Sequence, residues 1–330
     1  ILRDFKEKNT SHIAMEVSSH AIDQGRIDNL KFDIKLLTNI TRDHLDYHGN
    51  IENYIECKSN FLLNSGSGEC IVINNDDPVG HQIIEKINKK KNNLKVLSFG
   101  IKNASYLMAR NISVSNGRTI FNLDHNEERY KFDAPIFSRY NLYNILGVIG
   151  CLLELKINIK DIQSVISRIE GVEGRAEVIN LNSSNRPNIF IDYAHTPDAL
   201  ENILESLRQH NPQNLTLLFG CGGNRDKGKR QEMAKVANQL ADNVIITSDN
   251  PRDENPIDII NEISRNINIP FKKIEKRESA IIHAINNMND DDILLIAGKG
   301  HECYQEIKGK KYPFSDKKIA LDNIRKTVIR

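Results

Sequence analysis

No Cys-x-x-Cys pair occurs in the chain, and its five cysteines (Cys57, Cys70, Cys151, Cys221, Cys303) are widely spaced and odd in number. A disulfide framework and a thiolate zinc site are therefore both unsupported, and reduced thiols are the plain reading. No apolar run approaches the ~18 residues of a membrane span, and no signal peptide is recognisable, so the expectation is a cytoplasmic protein without membrane contact. An excess of one charge is missing too. Lys+Arg 45 against Asp+Glu 44 leave a formal net charge of +1. Nothing points to nucleic acid as a partner, and an anionic ligand would have to be met by local groups. No Gly-x-Ser-x-Gly elbow is present, and Ser18-Ser19-His20 is no hydrolytic triad, because neighbours on a strand face opposite ways. Internal repeats and long linkers are absent as well.

What the chain does have is alternation. Its 330 residues suggest about two domains, with 39% apolar residues to fill their cores. Strand patterns at 13–17, 34–37, 70–73 and 96–99 are followed by helical spacing at 51–63 and 79–90. Alternating residues around Asn116-Gly117 predict a hairpin with a type I′ turn, which 130–137 would extend. Helical spacing resumes at 141–155 and 159–169, and the two glycines of Glu170-Gly-Val-Glu-Gly-Arg175 mark the best boundary. Strands then read at 189–193, 215–219, 244–247 and 293–297, with helices beginning near Pro197, Lys229, Pro256 and Glu278. This is an α/β pattern with largely parallel sheets. Three strands of the second half end in polar or glycine-rich turns, and the carboxyl ends of parallel strands are where ligands bind.

Gly223-Asn-Arg-Asp-Lys-Gly228-Lys229-Arg230 has the spacing of a phosphate loop. Arg230, however, stands where a hydroxyl should bind Mg²⁺, and the intervening residues are bulky and charged. A strand-to-helix turn presenting Arg225 to an anion fits better. Glu16 ends an apolar run and reads as a solvated carboxylate or a metal ligand. The string Thr41-Arg-Asp43-His44-Leu-Asp46-Tyr-His48 gathers oxygen and imidazole donors after a strand, with His44 and His48 spaced as on one helix face. Lys58 falls on a helix whose apolar stripe includes Ile51, Ile55 and Leu62, and by spacing alone is a solvated charge. Asp249-Asn250-Pro251-Arg252 places a guanidinium on a fixed turn, able to clamp a carboxylate in bidentate fashion.

Taken in order, Met15-Glu-Val-Ser-Ser-His20, Thr38-Asn-Ile-Thr-Arg-Asp-His-Leu-Asp-Tyr-His48, Gly174-Arg175, Asp192-Tyr-Ala-His-Thr-Pro197, Phe219-Gly-Cys-Gly-Gly-Asn-Arg-Asp226, Asp249-Asn-Pro-Arg252 and Ala297-Gly-Lys-Gly-His-Glu302 resemble the Mur ligase family across nearly the whole chain. The resemblance is to those members that add meso-diaminopimelate. It implies a central P-loop-type ATPase domain over 1–174, mostly parallel with a β-hairpin segment, then a Rossmann-like domain over 175–330 for the incoming amino acid. It implies ATP-dependent amide formation between UDP-MurNAc-L-Ala-D-Glu and meso-diaminopimelate through an acyl phosphate, in peptidoglycan synthesis, by a monomer. Glu16, His44 and a CO₂-derived carbamate on Lys58 match the family's holders of two Mg²⁺ ions. Asn141, Asn144, Arg175 and Asp192 match its ATP contacts, and Ser18, Gln24 and Arg26 its muropeptide contacts. Arg225, Asp249, Asn250, Pro251, Arg252, Gly298 and Glu302 match its diaminopimelate pocket.

The family also carries a uridine-nucleotide-binding domain and a Gly-Lys-Thr phosphate loop ahead of these motifs. Neither lies in the 330 residues, which open on Ile1. The expectation is an incomplete ATPase domain and negligible turnover by this polypeptide alone. A lysine-adding ligase, or a non-catalytic remnant binding the amino acid or muropeptide, is the alternative; folylpolyglutamate synthase is a more distant relative lacking the Asp-Asn-Pro-Arg turn.

Overall fold

The computed structural model describes residues 2–66, 68–90, 94–115, 118–136, 138–169, 171–179 and 189–328. Two short helices, α1 (Leu2–Glu7) and α2 (Ser19–Asp23), come first. A six-stranded sheet follows, formed by β1 (Ile34–Leu37), β2 (Cys70–Asn74), β3 (Lys95–Gly100), β4 (Leu107–Ser115), β5 (Arg118–His125) and β6 (Glu128–Ala134) in that spatial order. The first four are parallel; β4, β5 and β6 form an antiparallel meander. The expected hairpin is therefore present, while its Asn116-Gly117 turn lies outside the described residues.

Between β1 and β2 lie α3 (Leu45–His48) and α4 (Ile51–Leu63); α5 (Pro78–Lys90) follows β2. The chain then adds α6 (Arg139–Glu154) and α7 (Ile159–Ile166). All five residues of β2 are buried, as expected of a parallel strand covered on both faces. Its alternate side chains divide between two cores. Cys70 and Val72 pack with Leu142, Leu146 and Ile149 of α6, whereas Ile71 and Ile73 pack with Leu62 of α4 and Ile83 of α5.

The second sheet contains β7 (Glu177–Ile179), β8 (Ile189–Asp192), β9 (Leu215–Phe219), β10 (Asn243–Ile246), β11 (Phe271–Lys273) and β12 (Ile293–Ala297), in the spatial order β11-β10-β9-β12-β8-β7. All are parallel except β7. The connecting helices are α8 (Pro197–Arg208), α9 (Gly228–Leu240), α10 (Pro256–Ser264) and α11 (Arg277–Asn286); a small hairpin of β13 (Tyr304–Ile307) and β14 (Lys310–Pro313) precedes α12 (Asp316–Val328). Helices α8, α9 and α10 cover one face and α11 and α12 the other. Thr196 caps α8 through its side chain, with Pro197 at the first position, as the local sequence demands.

One expected strand is not formed. Residues 13–17 form no strand, and Ile13 and Met15 are about half exposed. Among the described residues β1 is hydrogen-bonded only to β2, and the run at 13–17 does not take up its other edge. Glu16 accordingly stands on an irregular, exposed segment and not at a strand end.

The two halves meet along a polar seam. The Tyr140 hydroxyl donates to Asp192 Oδ2 at 2.5 Å, and Tyr193 N–H donates to Gly174 O at 2.8 Å. Arg42 grips the second half from the other side, donating to Asp226 at 2.9 and 3.0 Å and to Glu232 at 2.9 Å.

Candidate functional site

Strands β10, β9, β12 and β8 lie side by side and parallel, so their carboxyl ends open on one edge of the sheet. The loops leaving these ends frame a cleft. Arg225, Asp249, Asn250, Arg252, Gly298 and Glu302 line it, and Asp43, His44 and Asp46 close it from the first half. Six of the seven residues assigned by resemblance to the diamino acid thus face one space. The seventh, Pro251, is buried behind it, where it shapes the turn.

That turn depends on Gly223. A Cβ at this position would lie 1.9 Å from Pro251 O, and the Gly223 N–H donates to Asn250 O at 2.9 Å. Gly223→Ala is therefore expected to push the 249–252 turn out of place and cost about 1–3 kcal/mol of stability, measurable by chemical denaturation. The neighbouring N–H groups are equally committed: Asn224 N–H donates to Glu254 and Gly228 N–H to Asp226. Arg230 is 2% exposed and pairs with Glu254 and Glu262. A phosphate loop needs free amides, so this string is a packing turn, in agreement with its sequence.

Charge in the cleft is divided. Arg252 has φ +50°, a left-handed conformation that costs a non-glycine residue about 1–3 kcal/mol and is typical of functional positions. Its N–H donates to Glu306 O, its Nη1 donates to Gly223 O at 2.8 Å, and its Nε lies 3.4 Å from Glu306 Oε2. Anchored on those sides, the fork makes no hydrogen bond to the protein through Nη2 among the described residues. Arg225 is freer, its Nη1 lying 3.5 Å from Asp46. Opposite charge is supplied by Asp249 and Glu302.

The first half contributes a different chemistry. His44 has φ +55° and stands one residue before α3, so it does not share a helix face with His48 as its spacing suggested. Instead both rings flank His20, with centroids 4.8 and 6.0 Å away. Burial lowers the pKa of His44 despite Asp43 beside it, which favours the neutral imidazole. Burial alone would raise the Asp43 carboxyl, but His195 and His44 hold it well below the usual carboxylate range. The Lys58 ammonium is likewise disfavoured by burial, and its Nζ donates to Val17 O at 3.0 Å. Glu16 is near enough to act on Lys58 electrostatically. Among the described residues no three His, Cys, Asp or Glu side chains are gathered as a metal site. The donor chemistry nonetheless fits a hard cation: an imidazole favoured in its neutral form, an exposed carboxylate, and an amine shifted toward the uncharged form that a carbamate requires.

The residues matched to ATP collect at the seam. Asn141 sits in the first turn of α6, its N–H donated to Ser138 Oγ, with Asn144 exposed one turn on. The Arg175 guanidinium lies 4.9 Å from the Tyr193 ring centre. Asp192 is buried and accepts from Tyr140 and from the N–H groups of Ala176 and Ala194, so it also ties α6 to the second sheet. Ser18 and Gln24 cap the two ends of α2, and Arg26 donates to the Gln24 amide oxygen. Gln24 in turn donates to the Tyr47 hydroxyl at 3.2 Å.

Four residues to which the resemblance assigned no role belong to the site. Asp43, Asp46 and His195 line the cleft. The fourth, Lys299, lies beneath it, and its motif was legible although its burial was not.

Residues 1–152 match the Mur ligase middle domain, and residues 174–300 match the family described as Mur ligase, glutamate ligase domain. A UDP-N-acetylmuramoyl-L-alanyl-D-glutamate--2,6-diaminopimelate ligase of Pseudomonas syringae pv. tomato is 40% identical over 317 residues, covering 96% of this chain and 64% of that protein. The ligase of the same name from Xylella fastidiosa is 38% identical over 321 residues, covering 97% and 64%. The chain thus spans 64% of the length of these curated relatives. A solved structure of a ligase bearing that name superposes with a TM-score of 0.64 at 32% identity, covering 99% of this chain and 67% of that one. A pseudomurein peptide ligase type C from Methanothermus fervidus, at 18% identity and a TM-score of 0.69, shares the fold over 94% of this chain and 66% of its own.

Proposed function

Because the chain belongs to the Mur ligase family, we propose that it supplies the middle and amino-acid-binding parts of an ATP-dependent ligase that adds meso-diaminopimelate to UDP-MurNAc-L-Ala-D-Glu. On this reading the parts divide at 174/175. The observation that carries it is the charge division of the cleft, with Arg225 and Arg252 set against Asp249 and Glu302. Meso-diaminopimelate has a carboxylate and an ammonium at each end. Lysine lacks the second carboxylate and gives a paired guanidinium nothing to meet.

In the reaction, a D-Glu carboxylate oxygen attacks the γ-phosphorus of ATP, and the bond to the bridging oxygen breaks to release ADP. The diamino acid's amine then attacks the acyl carbon of the resulting acyl phosphate. A tetrahedral intermediate collapses with loss of inorganic phosphate, and the amine gives up a proton as the amide forms. Asn141, Asn144, Arg175 and Asp192 hold the nucleotide at the seam, while Ser18, Gln24 and Arg26 orient the muropeptide. Glu16, His44 and a carbamate on Lys58 would hold Mg²⁺, which when bound neutralises phosphate charge. Facing the two halves toward one cleft positions the amine and keeps water from the acyl phosphate.

Titration calorimetry of the chain with meso-diaminopimelate and with L-lysine tests the amino-acid assignment. At least tenfold tighter binding of meso-diaminopimelate is expected, since one charged contact is worth about 1.5–3 kcal/mol; a preference for lysine overturns the assignment. Lys58 has its own signature. In ¹³C-bicarbonate the chain is expected to show a carbamate carbon resonance that disappears in Lys58→Arg.

A further inference from the structure

Lys299 follows β12 and is completely buried, with its ammonium at the floor of the cleft. Its Nζ donates to Asn250 Oδ1 at 3.1 Å and to Glu302 Oε2 at 2.9 Å, and lies 3.9 Å from Asp249 Oδ1. The Tyr304 ring centre is 5.7 Å away. A buried ammonium is tolerated only when paired and hydrogen-bonded, and here two carboxylates face one cation. This end of the cleft therefore keeps one negative charge in excess.

The geometry of the network is directional. Asn250 Oδ1 also accepts from Glu306 N–H at 2.9 Å, which fixes the amide and turns Nδ2 toward Glu302. Nδ2 donates to Glu302 Oε2 at 2.9 Å. Lys299 and Asn250 thus converge on the same oxygen of Glu302. Among the described residues Oε1 accepts no hydrogen bond from the protein, although Glu302 lines the cleft.

We propose that Lys299 is a positioning residue for amino-acid recognition, holding Glu302 and Asn250 in a single arrangement in which Glu302 Oε1 is kept for an ammonium of the ligand. The inference rests on reading the cleft as a diamino-acid site. Its physical logic is competition. Arg225 and Arg252 share the cleft with Glu302, and a carboxylate released from Lys299 would be drawn to them. That pairing would cancel the charge separation which a zwitterion needs. Lys299 prevents it by binding Glu302 from behind.

Lys299→Met keeps the length and apolar stem of the side chain and removes its charge. Titration calorimetry of the chain is expected to show the Kd for meso-diaminopimelate raised about ten- to hundredfold. A crystal structure of the variant is expected to show Glu302 swung away from Asn250. Glu302→Gln alone is expected to weaken binding comparably, and the double variant no further, because Lys299 acts through Glu302. Additive losses, or unchanged affinity in a folded Lys299→Met, overturn the proposal. Should that variant fail to fold, Lys299→Gln, which can still donate to Asn250 Oδ1, carries the same expectations. If the unmodified chain does not bind meso-diaminopimelate yet Glu302 moves in the variant crystal, the ligand assignment fails and the positioning role stands. A Glu302 that stays in place overturns that role whatever the ligand.

Discussion

Arg252→Ala is expected to weaken meso-diaminopimelate binding by about 10²- to 10³-fold, the equivalent of removing one partner of a desolvated charge pair. The residue sits on a turn fixed by Pro251, with its fork anchored by Gly223 O and Glu306. Such anchoring pre-organises the guanidinium, so little side-chain entropy is lost when a carboxylate arrives. Arg252→Lys keeps the charge but not the planar fork and is expected to recover only a small part of the affinity. Titration calorimetry reads the loss, and parallel thermal denaturation separates it from a fold defect. If Arg252→Ala binds as tightly as the unmodified chain, the carboxylate is met by Arg225 and the role given to the 249–252 turn is wrong.

A comparably large effect on stability is expected at Asp316. Arg277 and Asp316 are both fully buried and joined by two hydrogen bonds of 2.8 Å, while Arg277 Nη2 also donates to Ala297 O at 2.9 Å. Arg277 Nη1 is buried without a hydrogen-bond partner among the described residues. The arginine is thus already under-satisfied, and Asp316 is what makes its charge tolerable. Asp316→Asn removes the only carboxylate in direct contact with that charge among the described residues, leaving the more distant Asp249 and Glu302, and should cost about 3–5 kcal/mol. For a unit of this size the cost corresponds to a fall in Tm of about 10 °C by calorimetry. The double variant Arg277→Met/Asp316→Leu is expected to lose much less, because removing both charges also removes their desolvation penalty. A double variant as unstable as Asp316→Asn would show that the contact to Ala297 O, and not the charge, is what matters.

Much of the fold is legible in the sequence where local pattern and tertiary environment agree. The runs at 215–219 and 293–297 become β9 and β12 with those bounds, since continuous apolar strands suit a sheet covered on both faces. The run at 13–17 has a similar pattern yet pairs with no strand among the described residues, so an apolar run alone does not make a strand. The three-residue β11 and the β13–β14 hairpin go unforeseen for the opposite reason: they are largely exposed and carry no strong apolar signal. In the site, resemblance places Arg225, Asp249, Asn250, Arg252, Gly298 and Glu302, and folding brings them to one cleft. Lys299 could not be found this way. It stands inside the matched Ala297–Glu302 string with no role of its own, and its burial after β12 is seen only in the fold.

Arg42 immediately precedes Asp43 and His44, yet its guanidinium is held by Asp226 and Glu232 of the other half. These side chains are partly exposed, so the ion pairs contribute little stability and can open. The same few ångströms of chain therefore report on both sides of the molecule. Whatever settles against His44 and whatever settles near the start of α9 push on the same clasp. If one occupant tightens it, the other must gain affinity by the same factor, whichever arrives first.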